Sequence, residues 1–191
     1  QLTIVEPHME QYLKFSKIVR SIYLRYSPEV ESFGIDESWI ELTGSPLLQQ
    51  KTPLEIANEI RTTVKEEVGL TVSIGVSFNK IFAKLGSDMK KPDAVTVITR
   101  ESFKDQIWPL PVSDLLYVGR ATTEKIRLYG IRAIGDLAQA DRAMLIHRLG
   151  VNGEKLWVFT FSSPQRLHRK AIRTFDGTIL CRKAKWQSHL A

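Results

Sequence analysis

The chain is organised around residues 33–43, FGIDESWIELT, in which two adjacent acids separate two runs of strand-forming residues. The pattern predicts strands over residues 30–35 and 39–43, joined by a tight turn that contains Asp36 and Glu37. Adjacent carboxylates repel each other, and a divalent cation would neutralise them, because magnesium prefers oxygen ligands and is commonly held by one or two carboxylates plus substrate phosphates. A solvated acidic turn is the competing interpretation, and an isolated acid pair favours it.

Composition limits the class of protein. With 191 residues, 43% hydrophobic and 25% charged, the chain suits one large or two small globular domains. No apolar run approaches the roughly 20 residues of a membrane span, and no apolar leader segment opens the sequence. The single cysteine, Cys181, excludes an internal disulfide and a zinc knuckle, and it suits a reducing cytoplasm. Because the first residue is Gln1 and not Met, we expect a piece of a longer protein.

Charge is distributed unevenly along the chain. Residues 1–113 contain 13 Lys/Arg and 15 Asp/Glu, a net charge of −2, whereas residues 114–191 contain 14 and 6, a net charge of +8. The asymmetry suggests two units, of which the second suits a polyanion such as nucleic acid. A generic basic domain explains the same numbers equally well.

The first 108 residues alternate helical and strand patterns. Apolar residues recur at three- and four-residue steps over residues 7–26, which predicts an amphipathic helix. Thr52, Pro53 and Glu55 form the N-cap, first position and capping box of the next helix, which Gly69 ends. The remaining predictions are a strand over 70–78, a helix over 79–85, a turn over 90–93 and a strand over 94–98. The order predicts an α+β domain over 1–108, an antiparallel or mixed sheet with helices on one face.

A stiff connector at residues 108–111, WPLP, precedes a region in which glycines separate short helical patterns. We therefore expect an all-helical unit over residues 109–163. Residues 118–126, VGRATTEKI, have the outline of a helix-hairpin-helix motif with Thr122 as N-cap, although alanine replaces the usual second glycine. In such a motif the free N–H groups at the helix N-terminus bind a phosphate oxygen of the DNA backbone, whatever the base sequence. The candidate DNA-binding residues are Gly119, Arg120, Ala121, Thr122 and Lys125; an ordinary interhelical turn is the alternative.

The basic tail, residues 164–191, is either a segment that crosses DNA or a flexible linker. A short strand over residues 175–181 is left open, and we expect poor order in this part of the chain.

Three groups of motifs follow one another along the sequence. They are GIDES at residues 34–38; GLTVSIGVS at 69–77 with NK at 79–80, AK at 83–84, SDM at 87–89 and KP at 91–92; and VG at 118–119, LYGI at 128–131 and IGDL at 134–137. Their order and spacing, from about residue 4 to about residue 161, resemble the Y-family translesion DNA polymerases, in particular the DinB-like (ImpB/MucB/SamB) branch. The resemblance implies the second part of a ferredoxin-like polymerase palm followed by a helical thumb with helix-hairpin-helix turns.

The same resemblance implies template-directed transfer of a nucleotide to a primer 3′-OH, with two magnesium ions clamping the attacking and leaving oxygens. Asp36 and Glu37 would be catalytic metal ligands, and Lys91 would contact the triphosphate of the incoming nucleotide. Primer-template DNA and a dNTP are the implied partners, with a sliding clamp for the full-length protein. The family context adds DNA damage and the SOS response, a cytoplasmic location and a monomer.

This sequence also departs from the family pattern. Gly34 replaces a serine and Ser38 an alanine beside the acids, and we expect no change of role from either. The family's first catalytic aspartate and its fingers lie upstream of residue 1, and its little finger has no room here. We therefore expect the fragment to be inactive alone. A non-catalytic, sequence-independent DNA-binding module is the second hypothesis, and a ferredoxin-like interaction domain without chemistry is the third.

Overall fold

The computed structural model describes residues 8–161 and 179–185. Within them, no helix is both long and apolar enough to cross a membrane. The helices are α1 (Met9–Tyr23), α2 (Pro53–Val68), α3 (Lys80–Met89), α4 (Phe103–Ile107), α5 (Arg120–Arg127), α6 (Ile134–Gln139), α7 (Arg142–Leu149) and α8 (Val151–Phe159). The strands are β1 (Val30–Ser32), β2 (Glu37–Glu41), β3 (Thr71–Ser77), β4 (Val95–Ile98) and β5 (Ile179–Lys185). The predicted α+β class is confirmed.

The five strands form one sheet in the order β1-β2-β5-β3-β4. The pairs β1–β2, β2–β5 and β5–β3 are antiparallel, and β3–β4 is parallel. The sheet is therefore mixed, one of the two predicted arrangements. The parallel pair is possible because α3 connects β3 to β4 as a crossover.

The central strand, β5, comes from the basic tail. Its backbone pairs with β2 on one side, Glu37 opposite Lys183, and with β3 on the other, Ser73 opposite Lys183. The expectation of a linker is therefore wrong for residues 179–185, and the strand left open over 175–181 begins four residues later. A strand placed by long-range pairing leaves only a weak local pattern. The rest of the tail prediction lies outside the described residues.

One face of the sheet is covered by α1 and α2. Alternate residues of β2 and β3 enter a core with both helices, because successive side chains of a strand point to opposite faces. The fully or almost fully buried members include Val19, Ile22 and Tyr23 of α1, Ile56, Ile60 and Val64 of α2, Ile40 of β2, and Val72, Ile74 and Val76 of β3.

Helix α2 begins and ends as its sequence predicts. The Thr52 hydroxyl accepts a hydrogen bond from the Glu55 N–H at 3.2 Å, and the Glu55 carboxylate accepts from the Thr52 N–H at 2.7 Å. Pro53 occupies the first turn, and Gly69 ends the helix with φ of 72°. This left-handed conformation suits glycine, because glycine has no Cβ to clash with the carbonyl.

Helix α3 lies on the opposite face, so the prediction of helices on one face only is wrong. Gly75 of β3 makes this packing possible: a Cβ at that position would lie 1.9 Å from the Ala83 carbonyl oxygen and 2.5 Å from the Ser87 nitrogen. Gly86 of α3 packs against Gly75 itself, since a Cβ added to Gly86 would lie 3.1 Å from the Gly75 Cα. Two glycines facing each other let the backbones of α3 and β3 approach closely, and this fixes the height of α3 above the sheet.

The second hydrophobic core is continuous across the predicted domain boundary at residue 108. It joins Ile81 and Phe82 of α3 and Phe103 of α4 to Ile126 of α5 and Leu156 of α8. At the connector, the Gly135 N–H donates to the Trp108 carbonyl at 2.9 Å, and the Trp108 ring N–H donates to the Thr160 carbonyl at 3.3 Å. The helical region therefore shares one continuous hydrophobic core with α3, the helix that covers the acid-bearing side of the sheet.

Asp93, in the turn between α3 and β4, ties this turn to α2. Its carboxylate accepts hydrogen bonds from the Arg61 guanidinium and the Lys65 ammonium, both at 2.8 Å. Burial opposes ionisation of Asp93, but the bonds from Lys65 and Arg61 outweigh it and hold the pKa of this carboxyl below its usual range. Because the folded-state pKa is lowered, this stabilisation is present above the unfolded-state pKa and is lost as the pH falls through the folded-state pKa.

We expect Asp93→Asn to lower the free energy of unfolding at pH 7 by roughly 1 kcal/mol, since the pair is partly exposed. Asparagine tolerates the positive φ of 54° at this position, so the variant tests charge and not backbone strain. Urea unfolding of both proteins from pH 7 to pH 3 is the measurement. The two curves should converge at acid pH; a constant difference across the range would contradict the ionic origin.

Candidate active site and nucleic-acid interface

Strand β2 begins at Glu37, two residues earlier than predicted, so the acid pair lies at the boundary between turn and strand. Asp36 is in the turn, whereas Glu37 is the first residue of the strand, and the turn is closed by the Phe33 N–H donating to the Glu37 carbonyl at 2.8 Å. The prediction that the turn contains both acids is therefore wrong for Glu37. The turn begins with Gly34 at φ of 84°, a conformation that explains glycine at this position.

The two carboxylates have different surroundings. Glu37 is 8% exposed and faces α3, and its Oε1 accepts a hydrogen bond from the Lys84 ammonium at 2.9 Å. Asp36 is half-buried, and its side chain makes no hydrogen bond or ion pair with another residue of the described ranges. A buried carboxylate held by a lysine thus lies beside a carboxylate whose oxygens are open to a ligand.

Lys84 lies between two acids. Its ammonium donates to Glu37 and also to Asp88 Oδ2 at 2.6 Å, one turn further along α3. Burial opposes the charged form of Lys84, but the hydrogen bonds that it donates to Asp88 and Glu37 outweigh this effect and raise the pKa of the ammonium. Lys84 is therefore a cation at neutral pH.

Asp88 connects this pair to Lys91, the candidate nucleotide-binding residue. The Lys91 ammonium donates to Asp88 Oδ1, while Lys84 holds Asp88 Oδ2. Burial opposes ionisation of Asp88, but the bonds from Lys84 and Lys91 outweigh it and lower the pKa of its carboxyl. A chain of alternating charges, Glu37–Lys84–Asp88–Lys91, therefore links the acid pair to Lys91, whose side chain is 36% exposed.

No role was predicted for Lys84, and Asp88 was included only as one residue of the run 87–91, which was interpreted as a wall of the catalytic site; both lie inside the motifs quoted above. The available signal was their four-residue spacing, which places both on one face of a helix. What the sequence does not contain is which face of α3 meets β2, and that depends on the Gly75 contact.

A second buried lysine lies one turn earlier on α3. The Lys80 ammonium pairs with Glu31 of β1 and lies 5.1 Å from the Trp39 ring centroid, and the Trp39 ring N–H donates to the Lys80 carbonyl at 3.1 Å. These contacts fasten the N-terminal turn of α3 to the sheet. Lys80 is thus equivalent to Lys84 in chemistry and burial but not in its acidic partner.

The acid pair fits a magnesium-type ion by its donor chemistry, because adjacent carboxylates are hard oxygen ligands. Within residues 8–161 and 179–185, no group of three or more His, Cys, Asp or Glu side chains is placed to hold a metal ion. Asp36 and Glu37 would therefore supply part of a coordination shell, with the remaining ligands contributed from outside the described residues.

The candidate DNA-binding residues lie at the N-terminus of α5. Gly119 is the N-cap, and the N–H groups of the next three residues, Arg120, Ala121 and Thr122, precede the first intrahelical bond, from Thr123 to the Gly119 carbonyl at 2.9 Å. Thr122 is thus the third helical residue, and the prediction that it caps the helix is wrong. Glycine caps this helix because Gly119 has an extended backbone and open space around it.

The charges around this helix start are exposed. The Arg120 side chain is 93% exposed and pairs with Glu124 at 2.9 Å, and Lys125 is also exposed. Free N–H groups and a helix dipole beside two cations form an arrangement that binds a phosphate without reading a base. The helix-hairpin-helix assignment itself stays a prediction.

Comparison with known proteins gives this arrangement its context. The chain is 52% identical over 158 residues to DNA polymerase IV of Acetivibrio thermocellus, covering 83% of this chain and 39% of that protein. It is 38% identical over 156 residues to DNA polymerase IV 1 of Bacillus subtilis, covering 82% and 37%. The chain therefore spans about two fifths of the length of these curated relatives.

Solved structures share the fold. The crystal structure of DinB from Sulfolobus solfataricus matches with a TM-score of 0.72 at 23% identity, covering 84% of this chain and 48% of that chain. A Dbh ternary complex matches with a TM-score of 0.74 at 23% identity, covering 84% and 49%. These likenesses concern the fold alone, which is that of Y-family polymerases. At the sequence level, residues 1–88 match the impB/mucB/samB family, and the predicted resemblance is confirmed.

Proposed function

We propose that this chain is part of a translesion DNA polymerase of the Y-family, whose full-length form adds a nucleotide to a primer 3′-OH under the direction of a template. The observation that carries the proposal is the charged chain from Glu37 to Lys91, which joins a carboxylate pair to an exposed lysine across one helix. Nucleotidyl transfer needs both the carboxylate pair and the lysine, because the metal ligands and the triphosphate contact must lie in one site.

In this proposal Asp36 and Glu37 would hold two magnesium ions together with a third carboxylate from outside the described residues. The ions, when bound, supply Lewis-acid stabilisation of the attacking and leaving oxygens. Glu37 presents its carboxylate from a rigid strand, and Asp36 presents its own from the adjoining turn. Lys91 contacts the triphosphate as a point charge and so orients the dNTP.

The helical region takes the role of the thumb. Backbone N–H groups of residues 120–122 bind a primer phosphate, and Arg120 and Lys125 add positive charge. Because this contact is made to the phosphate, it carries no sequence information. The core shared by α3, α5 and α8 supports this role, since it fixes the phosphate site relative to the acid pair.

Primer extension by the full-length protein tests the proposal. We expect template-dependent incorporation that requires a divalent cation, and no incorporation by residues 1–191 alone, because a two-metal site without one bridging ligand loses most of its metal affinity. Absence of extension by the full-length protein on an undamaged and a lesion-containing template would contradict it. A sliding-clamp partner, a monomeric state, a cytoplasmic location and induction by DNA damage are further parts of the proposal.

The second candidate function is a non-catalytic DNA-binding module, favoured by the exposed cations around the N-terminus of α5. It concerns this chain as it stands, whereas the polymerase concerns the longer protein. A gel-shift titration with duplex DNA at two salt concentrations separates the candidates, because absence of binding at low salt would contradict the module.

Lys125→Gln in this chain is expected to weaken duplex binding at every sequence tested, and to reduce the slope of log affinity against log salt by about 1. Lys14→Gln on α1 is the matched control, since it removes the same exposed charge from the other face of the sheet. Fluorescence anisotropy over a salt series measures both slopes. Equal slopes for the two variants would argue against a phosphate contact at Lys125.

A further inference from the structure

Lys84 is a buried ammonium shared between a candidate metal ligand and a second acid. Its side chain is 11% exposed, and it lies 2.9 Å from Glu37 Oε1 and 2.6 Å from Asp88 Oδ2. A positive charge thus already compensates Glu37 from the side of α3. We propose that Lys84 is a positioning residue that holds the Glu37 carboxylate in place and competes with a divalent cation for it. The inference rests on the assignment of Glu37 as a metal ligand in the proposed function.

Competition follows from the position of the ammonium. A cation bound by Asp36 and Glu37 lies within a few ångströms of Lys84, and two positive charges at such a distance repel strongly in a partly buried site. The Glu37 oxygen that accepts the Lys84 hydrogen bond is also one of the two oxygens that can ligate a cation. Binding therefore requires Lys84 to release part of its hold on Glu37.

Asp88 makes this release possible at low cost. A buried ammonium that lost its partner would be strongly destabilising, but Lys84 keeps a second carboxylate at 2.6 Å. If its hydrogen bond to Glu37 were loosened by a bound cation, the Lys84 ammonium would keep its existing bond to Asp88. Asp88 is thus the second hydrogen-bond partner of Lys84, while the bond from Lys84 to Glu37 keeps the Glu37 carboxylate oriented.

The test measures Mn²⁺ binding to the full-length protein, without DNA or nucleotide, from the electron paramagnetic resonance signal of the free ion. Lys84→Met removes the competing charge and should lower the dissociation constant for Mn²⁺ about tenfold. Lys80→Met is the matched control, because it removes a buried ammonium of the same helix that pairs with Glu31 instead; its dissociation constant should stay within about twofold of the original. Adding Asp36→Asn to Lys84→Met should abolish the gain.

A second variant guards against loss of folding in Lys84→Met. Asp88→Asn leaves Lys84 with Glu37 alone and changes a side chain that is 39% exposed. It should weaken Mn²⁺ binding by about threefold. Circular dichroism establishes which variants are folded. If Lys84→Met is not folded, the Mn²⁺ affinity of Asp88→Asn tests the inference instead.

Three results would overturn the inference: Mn²⁺ affinity of folded Lys84→Met equal to or below that of the original protein, unchanged affinity in Asp88→Asn, or no Mn²⁺ binding by any protein. Its failure is distinguishable from failure of the proposed function. Primer extension by the full-length protein with an unaltered Mn²⁺ response in Lys84→Met would refute the role of Lys84 and leave the polymerase intact. Tighter Mn²⁺ binding by Lys84→Met, together with no primer extension by the full-length protein, would refute the proposed polymerase activity and leave the competition between Lys84 and the cation intact.

Discussion

Gly75→Ala is expected to destabilise the chain by more than about 3 kcal/mol, a large part of the stability of an ordinary domain. The added methyl group would lie 1.9 Å from the Ala83 carbonyl oxygen, and that oxygen belongs to the helix backbone and not to a flexible side chain. Helix α3 would have to move away from β3 as a unit. Because α3 contains Lys84 and Asp88, the same shift would separate Lys84 from Glu37.

Gly119→Ala is the control for this prediction. Gly119 has an ordinary negative φ of −84° and no neighbour within 4 Å of an added Cβ, so the cost should stay below about 1 kcal/mol. Urea unfolding followed by tryptophan fluorescence measures both variants. Similar midpoints for the two proteins would show that the close approach of α3 to β3 is not required.

Glu37→Gln in the full-length protein is expected to lower the rate of primer extension by about 1000-fold. Metal stabilisation of the transition state is worth several kcal/mol, and each 1.4 kcal/mol corresponds to a factor of ten. Glutamine keeps an oxygen that accepts the Lys84 hydrogen bond, so the main loss is the negative charge that ligates the cation.

Glu41→Gln provides the matched control, because Glu41 is also 8% exposed and lies on the same strand and the same face. Its Oε1 accepts hydrogen bonds from the N–H and hydroxyl of Thr43, which an amide oxygen also accepts. Single-turnover extension by this variant should stay within about threefold of the original. Equal losses in both variants would mean that the effect comes from disturbing β2 and not from losing a metal ligand.

Local patterns predicted the parts of this fold that local chemistry determines. The capping box of Thr52 and Glu55, the first-turn Pro53 and the left-handed Gly69 depend on neighbours within four residues, and all are found as predicted. The acid pair at the start of β2 was found for the same reason, since strand, turn and acids are contiguous. The strand boundaries were misplaced, since β1 ends at Ser32 and not at residue 35, and β2 spans Glu37–Glu41 and not residues 39–43.

Features that depend on distant pairing were missed. Strand β5 is central in the sheet, yet its neighbours β2 and β3 lie more than 100 residues away in sequence. Helix α3 was placed with the other helices because a helical period gives no information on which sheet face it covers; Gly75 was the signal, since glycine inside a strand often marks close approach of another backbone. The charged chain through Lys84 and Asp88 follows from that packing.

Single-turnover primer extension by the full-length protein carrying Asp36→Ala, with duplex affinity measured alongside, is the decisive test of the proposed metal site. The Asp36 carboxylate makes no hydrogen bond or ion pair within the described part of the chain, so its loss removes a ligand with little effect on the fold. We expect an extension rate lower by about 1000-fold and a duplex dissociation constant within about twofold of the original. An undiminished extension rate would contradict the assignment of Asp36 as a metal ligand.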